Sequence, residues 1–267
     1  MIPKIVYKYR DWKTDLHKRL LLNNEIYFSS PKDFNDPFDC RITENYNLFT
    51  PEEEEKYINE LLISGFPKTE AKGLDFNSVI KRVENLISNK EKLQATIESE
   101  RSYFQDHCYA IFSCSKLWNN ILMWSHYSNQ HTGFCVGFYK DKLLRSGLFG
   151  KVGDVVYRTD YPEIKPRVAK KDEQMMINSF LETHSKAKNW KYEKEVRFMA
   201  NHFPKELSQA DRTLTIPDHY FAEVILGINI SKEDRNEIIE ICTVKGLKVF
   251  QAIKVKFKFK INRIPLN

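Results

Sequence analysis

The chain opens on KIVYKY at residues 4–9, a run of β-branched and aromatic residues that predicts a first strand. Lys13 to Leu22 predicts a short helix, and Glu25 to Ser29 a second extended piece. The stretch SPKDFNDPFD at residues 30–39 places Pro31 and Pro37 among Asp and Asn, so it can continue neither a helix nor a central strand and must turn. From Pro51 the period changes: PEEEEKYINELL begins a helix with Thr50 as N-cap and acids in its first turn, where the helix dipole favours them. Phe76, Val79, Ile80, Val83, Leu86, Ile87, Leu93 and Ile97 then recur at steps of three and four, which predicts an amphipathic helix from about Asn77 towards Arg101. Strand patterns return in HCYAIFSCS, GFCVGFY and KVGDVVYR, with the aromatic bridge KLWNNILMWSHYSNQHT between the first two. Residues 168–187 read as helix, and WKYEKEVRFMA, RTLTIP and FAEVILGI as strands. SKEDRNEIIEICTVKG reads as a helix closed by Gly246, and IKVKFKFKI as a last strand.

This order gives an α+β class with a mixed, mainly antiparallel sheet, in a single domain spanning 1–267 with a helical block at 50–105 inserted into it. Composition narrows the class little further. With 267 residues, 42% hydrophobic, 29% charged, 9 Gly and 10 Pro, the chain is neither disordered nor collagen-like nor linker-dominated. No run of eighteen apolar residues occurs and the N-terminus has no signal layout, so a cytoplasmic protein without a membrane partner is expected. Five cysteines without a CxxC pair suit reduced thiols better than a disulfide frame or a zinc site. The net charge of +6 is concentrated after residue 245, where no acid occurs, and that asymmetry points to a polyanionic partner. The same segment also reads as a lysine-guarded edge strand, with Phe257 and Phe259 on one face and Lys256 and Lys258 on the other.

Four groups could carry chemistry. Glu193, Glu195 and Arg197, two apart on an expected strand, share a face. Paired carboxylates there could hold a ribose hydroxyl, stabilise an oxocarbenium-like centre and accept a proton. A solvated strand face is the plainer reading. Lys8 and Arg10 could present two cations to a pyrophosphate, or be ordinary strand-end charge. Trp118, Met123, Trp124, His126 and Tyr127, near Ser113, Ser115 and Gly133, could form a stacking floor for a nicotinamide or a base, or simply core. Asn35, Asp36 and Asp39 suit an Asx-type turn; joined to Glu193 and Glu195, Asp36 and Asp39 could instead bind a divalent metal in a nuclease.

The segments YKYR, FSSPKDFNDPFD, MWSHY leading into GFCVGF, and W-x-x-E-x-E-x-R at Trp190 to Arg197 together resemble a bacterial domain family of unknown function. More distantly, the order of a cationic first strand, a Ser-containing segment, an aromatic stretch and a late Glu is similar to the ADP-ribosyltransferases, including the DNA-modifying toxin branch. That resemblance implies the ADP-ribosyltransferase fold and NAD as substrate with no metal. It implies that Lys8 and Arg10 hold the dinucleotide, that Ser113, Ser115, Trp124, His126 and Tyr127 lie about the nicotinamide, and that Glu195 is the catalytic carboxylate with Glu193 helping the acceptor. A macromolecular acceptor is implied, for which the basic surface suggests nucleic acid; a toxin or phage-defence setting and an antitoxin or chaperone partner follow from the same analogy. A metal-dependent nuclease using Asp36, Asp39, Glu193 and Glu195, and a non-catalytic binding module for nucleic acid or protein, stand as alternatives.

Overall fold

Ile5–Arg10 forms the strand about which the sheet is built, because its two faces are each covered by a different cluster of apolar side chains. The computed structural model describes residues 4–57, 59, 81, 89–166, 173–200 and 205–266. Its strands are β1 (Ile5–Arg10), β2 (Glu25–Tyr27), β3 (Ile111–Ser115), β4 (Phe134–Tyr139), β5 (Phe149–Asp154) and β6 (Val156–Arg158), followed by β7 (Ser185–Ala187), β8 (Glu195–Ala200), β9 (Thr213–Thr215), β10 (Phe221–Leu226), β11 (Lys248–Lys254) and β12 (Ile261–Pro265). Its helices are α1 (Asp15–Leu22), α2 (Lys90–Cys108), α3 (Ile121–Tyr127), α4 (Lys140–Arg145), α5 (Glu173–His184) and α6 (Lys232–Val244).

Eight strands form one sheet in the order β12-β11-β10-β4-β1-β3-β8-β5, antiparallel except for the parallel pair β10 and β11. The fold is therefore α+β with a mainly antiparallel sheet. On one face Val6, Phe112, Val136 and Phe198 pack with Leu21 of α1 and with Ile238 and Cys242 of α6. On the other, Tyr7 and Tyr9 pack with Met123 and Trp124 of α3. The N-terminal signals act as read: Thr50 Oγ1 accepts from the Glu53 N–H while Glu53 accepts from the Thr50 N–H, a capping box that opens the helical residues 51–57. Ser231 likewise accepts from the Asp234 N–H at the start of α6.

Several boundaries differ from expectation. His107 and Cys108 end helix α2 instead of starting a strand. Of the amphipathic pattern, Leu93 and Ile97 lie on α2, whereas Phe76 to Ile87 fall outside the described residues, as do 168–172 of the next expected helix. That helix stops at His184, and Ser185–Ala187 continues as β7, paired in parallel with β6 away from the main sheet. The segment from Trp190 to Ala200 is not one strand. Lys188–Glu193 is a 3-10 turn, Lys194 adopts the left-handed conformation at φ 47°, and pairing begins at Glu195. The two glutamates are thus not successive residues on one face of a strand.

The last expected strand is also two. Residues 255–260 reverse the chain, with the Val255 N–H donating to Lys260 O and Phe257 at φ 60°. A period of two is a strand signal only while the backbone stays extended, and a turn between β11 and β12 escapes it. Phe257 and Phe259 therefore face solvent rather than core.

Gly133 is fixed by a close approach: a Cβ built there would lie 2.1 Å from the carbonyl oxygen of Arg10. Gly133→Ala should push β4 from the end of β1 and lower stability by about 1–3 kcal/mol or more, measured as a lower urea midpoint. An unchanged midpoint would contradict this packing.

Candidate functional site

Strands β1 and β3 are paired at Tyr7 and Ser115, whereas β1 and β4 are paired along the whole of Ile5–Arg10. Beyond Tyr7, β1 and β3 part. Backbone carbonyls on the parted edge need other donors, and Lys8 supplies one: its Nζ donates to Ser113 O at 2.7 Å and lies 5.1 Å from the Phe112 ring centre. The gap opens into a cavity of about 430 Å³, lined by Lys8, Arg10, Ser113, Ser115, His126 and Tyr127 and, at its floor, by Asp39, Lys186, Glu193 and Glu195.

The floor is an ion network with little access to water. Arg197 has no exposed surface, and all five of its N–H donors are used. Nε and Nη2 grip both oxygens of Glu195 at 2.8 and 3.1 Å. Nη2 also donates to Asp39 Oδ2 at 2.6 Å, and Nη1 to Thr183 O at 2.7 Å and to Cys40 Sγ at 3.0 Å. Lys186 Nζ bridges the same acids, at 2.7 Å from Glu193, 3.1 Å from Asp39 and 3.6 Å from Glu195. Glu193 accepts a second hydrogen bond, from the Tyr127 hydroxyl at 2.5 Å.

The turn Lys188–Glu193 is what brings Glu193 here. Ser115 Oγ donates to Glu193 O, and Asn120 Nδ2 donates to Tyr192 O while its Oδ1 caps α3. One side chain thus ties the start of α3 to the glutamate turn. The Glu195 N–H is held by the Tyr157 hydroxyl, whose strand β6 pairs with the β7 that carries Lys186.

Electrostatics separate the two glutamates. Burial alone would raise Glu195, but Arg197 and Lys186, with hydrogen bonds from Arg197 and Ser113, hold it far below the usual carboxylate range. Glu193 goes the other way: burial raises it, and although Lys186 opposes this, the neighbouring Glu195 adds to it. Lys186, despite burial, is raised by Glu195, Asp39 and Glu193.

At the other wall the imbalance is cationic. Neither Lys8 nor Arg10 forms an ion pair with a carboxylate among the described residues. Burial and then Arg10 lower Lys8 to about 7, and burial lowers Arg10 to about 10. His17, also on this wall, is lowered to about 4 by burial and by Arg10, so it is neutral at pH 7. The cavity therefore sets Lys8 and Arg10, which form no ion pair among the described residues although Glu195 and Glu193 act on Lys8 from a distance, against three carboxylates that share Lys186 and Arg197.

The structure brings together Lys8, Arg10, Ser113, Ser115, His126, Tyr127, Glu193 and Glu195. It does not bring Trp124 with them. That indole is fully buried, edge-on to Tyr9 at 5.2 Å, with its N–H donating to Trp118 O, because a helix of about two turns can turn only one face to the cavity, the one that carries Met123, His126 and Tyr127. Asp36 makes the Asx turn, its Oδ1 accepting from the Phe38 N–H. Asp39, three residues on, joins the floor. Lys186 was not singled out by the sequence: in SKAKNW it carries no motif, and only the need of three buried acids for a counter-charge would have asked for it. Among the described residues no group of three or more His, Cys, Asp or Glu is arranged to hold a metal ion.

The site is thus a buried two-signed pocket at a parting of sheet strands. A family described as "Protein of unknown function (DUF2971)" matches residues 123–198. The matched span opens in α3 and closes in β8, so it holds Tyr127, Lys186, Glu193, Glu195 and Arg197 and leaves out Lys8 and Arg10. No curated protein and no solved structure matches the chain.

A lysine lowered by burial costs stability while it must fold protonated. That cost is relieved as pH rises from about 7 towards the ordinary lysine range, because there the unfolded chain binds the extra proton. Lys8→Met should therefore be more stable than wild type at pH 6 and should lose that advantage by pH 10, in urea melts. Parallel pH profiles would show that Lys8 is not so buried.

Proposed function

We propose that the chain is an ADP-ribosyltransferase that consumes NAD and modifies a macromolecular acceptor, with nucleic acid the acceptor its basic C-terminal segment favours. One observation carries this reading: the same cavity has two basic side chains without an ion-paired carboxylate among the described residues on one wall and an excess of carboxylate on the other. A pyrophosphate is a good match for Lys8 as a point charge and Arg10 as a planar fork. The surplus negative charge at the floor suits a ribose carbon that becomes positive as its base departs.

In the reaction the bond between ribose C1′ and the nicotinamide nitrogen breaks, and nicotinamide leaves as a neutral molecule with the bonding electrons. The acceptor's nucleophilic atom then bonds to C1′ and gives up its proton. Glu195, fixed on both oxygens by Arg197, supplies constant negative charge near the ribose. Glu193 is the proton acceptor. Its raised pKa makes it the more basic of the pair, and Tyr127 and Lys186 hold its two oxygens in place. Positioning and electrostatics suffice because the leaving group is already good.

The nuclease alternative would set a metal among Asp36, Asp39, Glu193 and Glu195. Three of these acids already share Lys186, and Asp39 and Glu195 also share Arg197. The toxin or phage-defence setting belongs to the proposal through the resemblance alone.

Purified protein incubated with NAD labelled in its adenylate, and with separate pools of RNA, DNA and protein, should release nicotinamide and label one pool. Glu193→Gln should retain NAD binding and lose turnover by about 10²–10⁴-fold. The wild-type rate should fall on acidification at a pH above the ordinary carboxylate range, since Glu193 must be ionised to act, and that limb should vanish in the variant. Unchanged turnover in Glu193→Gln, or cleavage of nucleic acid that needs magnesium or manganese and ignores NAD, would end the reading.

A further inference from the structure

The hairpin of β11 and β12 ends in a turn that presents two large rings to solvent, with the Lys256 ammonium 5.1 Å from the Phe257 ring centre. Phe257 is 94% and Phe259 102% exposed. Lys254, Lys256, Lys258 and Lys260 are exposed around them, and none forms an ion pair among the described residues. The turn is ordered by its backbone: Val255 N–H donates to Lys260 O at 2.9 Å, Lys258 N–H to Val255 O at 3.2 Å, and Lys260 N–H to Lys258 O at 2.8 Å. Phe257 holds a left-handed backbone that glycine would adopt without strain. An aromatic is kept in a strained, solvent-exposed position, where its ring is buried by nothing and meets only the Lys256 ammonium among the described residues.

We infer that this tip is a docking element for single-stranded nucleic acid. Rings and ammonium groups alternate one for one from Lys256 to Lys260, as bases and phosphates alternate along a single strand. Exposed rings can stack on unpaired bases whatever their identity, and lysines displace counterions from phosphates. An anionic bilayer is the other surface that binds rings and lysines together, but insertion of both rings would drag Lys258, which lies between them, below the headgroups.

The tip also stands at the relevant end of the molecule. Gln251, Leu226, Phe134 and Arg10 lie in one row across β11, β10, β4 and β1, so the tip projects from the sheet end at which Arg10 closes β1. The intervening strand spacings set the hairpin roughly 14 Å to the side of β1, and the tip extends further along the strand direction past Gln251. Lys254 at the base of the hairpin lies near His131, in the loop after α3, and α3 supplies Met123, His126 and Tyr127 to the cavity.

The test uses fluorescence anisotropy with a mixed-sequence oligonucleotide of about 16 nucleotides, as DNA and as RNA, beside the same DNA as a duplex and vesicles rich in phosphatidylserine. Wild type should bind the single strands better than the duplex and the vesicles. Phe257→Ala with Phe259→Ala should weaken that binding by about tenfold or more. Lys256→Gln with Lys258→Gln should flatten its dependence on salt between about 50 and 200 mM. These side chains are solvated, so thermal midpoints should stay at the wild-type value and show that both variants fold. Single-strand binding that survives both double substitutions, no binding at the lower salt, or a preference for vesicles or duplex would each overturn the inference. The tip contributes nothing to the cavity, so oligonucleotide binding without NAD present tests this surface separately from the pocket chemistry.

Discussion

A guanidinium with no exposed surface can stay charged inside a protein only if neighbours meet its five donors and its charge. Arg197 imposes that requirement on this chain, and the rest of the site follows. Its partners come from far apart: Asp39 and Cys40 from the loop after β2, Thr183 from the end of α5, and Glu195 from its own strand. Once these are gathered there is one carboxylate too many for one cation, and Lys186 enters from β7 to bridge Asp39, Glu193 and Glu195. Removing one member of such a buried set typically costs about 3–5 kcal/mol, because the partner is left charged and unpaired. The floor of the cavity is therefore rigid by necessity, which is the condition for charge to act at a fixed point on a substrate.

The opposite wall is built on the reverse principle. Parting β1 from β3 beyond Tyr7 frees backbone carbonyls and admits Lys8 and Arg10, yet no carboxylate forms an ion pair with either among the described residues. Burial lowers both, so folding is opposed by charge that an incoming anion would satisfy. Fold stability and ligand affinity are in this way set against each other at two residues of one strand. A chain selected for stability alone would place an apolar residue or an acid there.

How far the sequence revealed this varies with the kind of signal. Local signals served well: β1, the N-cap at Thr50, the turn at Asp36 and the helix after Ser231 all depend on neighbours within a few residues. Long-range charge pairing did not appear. Lys186 and Asp39 find their partners across the fold, and nothing near them in sequence marks them for burial. Glu193 and Glu195 reach one floor by a route that strand alternation misdescribes, since a 3-10 turn and a left-handed Lys194 separate them. The alternation of Lys and Phe near the end of the chain gave a strand where the backbone turns, because periodicity records side-chain pattern and not chain direction. The sequence places Trp124 with His126 and Tyr127 in one aromatic patch, but on a short helix those neighbours point apart and the indole lies in the core.

Positive charge at Lys8 and Arg10, with no ion-paired carboxylate among the described residues, is what would receive the pyrophosphate in the proposed reaction. The most direct measurement is the phosphorus-31 NMR spectrum of NAD titrated with the protein, compared between wild type and Arg10→Gln. Both pyrophosphate resonances should shift and broaden with wild type at neutral pH, and should stay near their free positions with the variant. Resonances that remain free-like in the presence of excess wild-type protein, or that shift equally with both proteins, would contradict it.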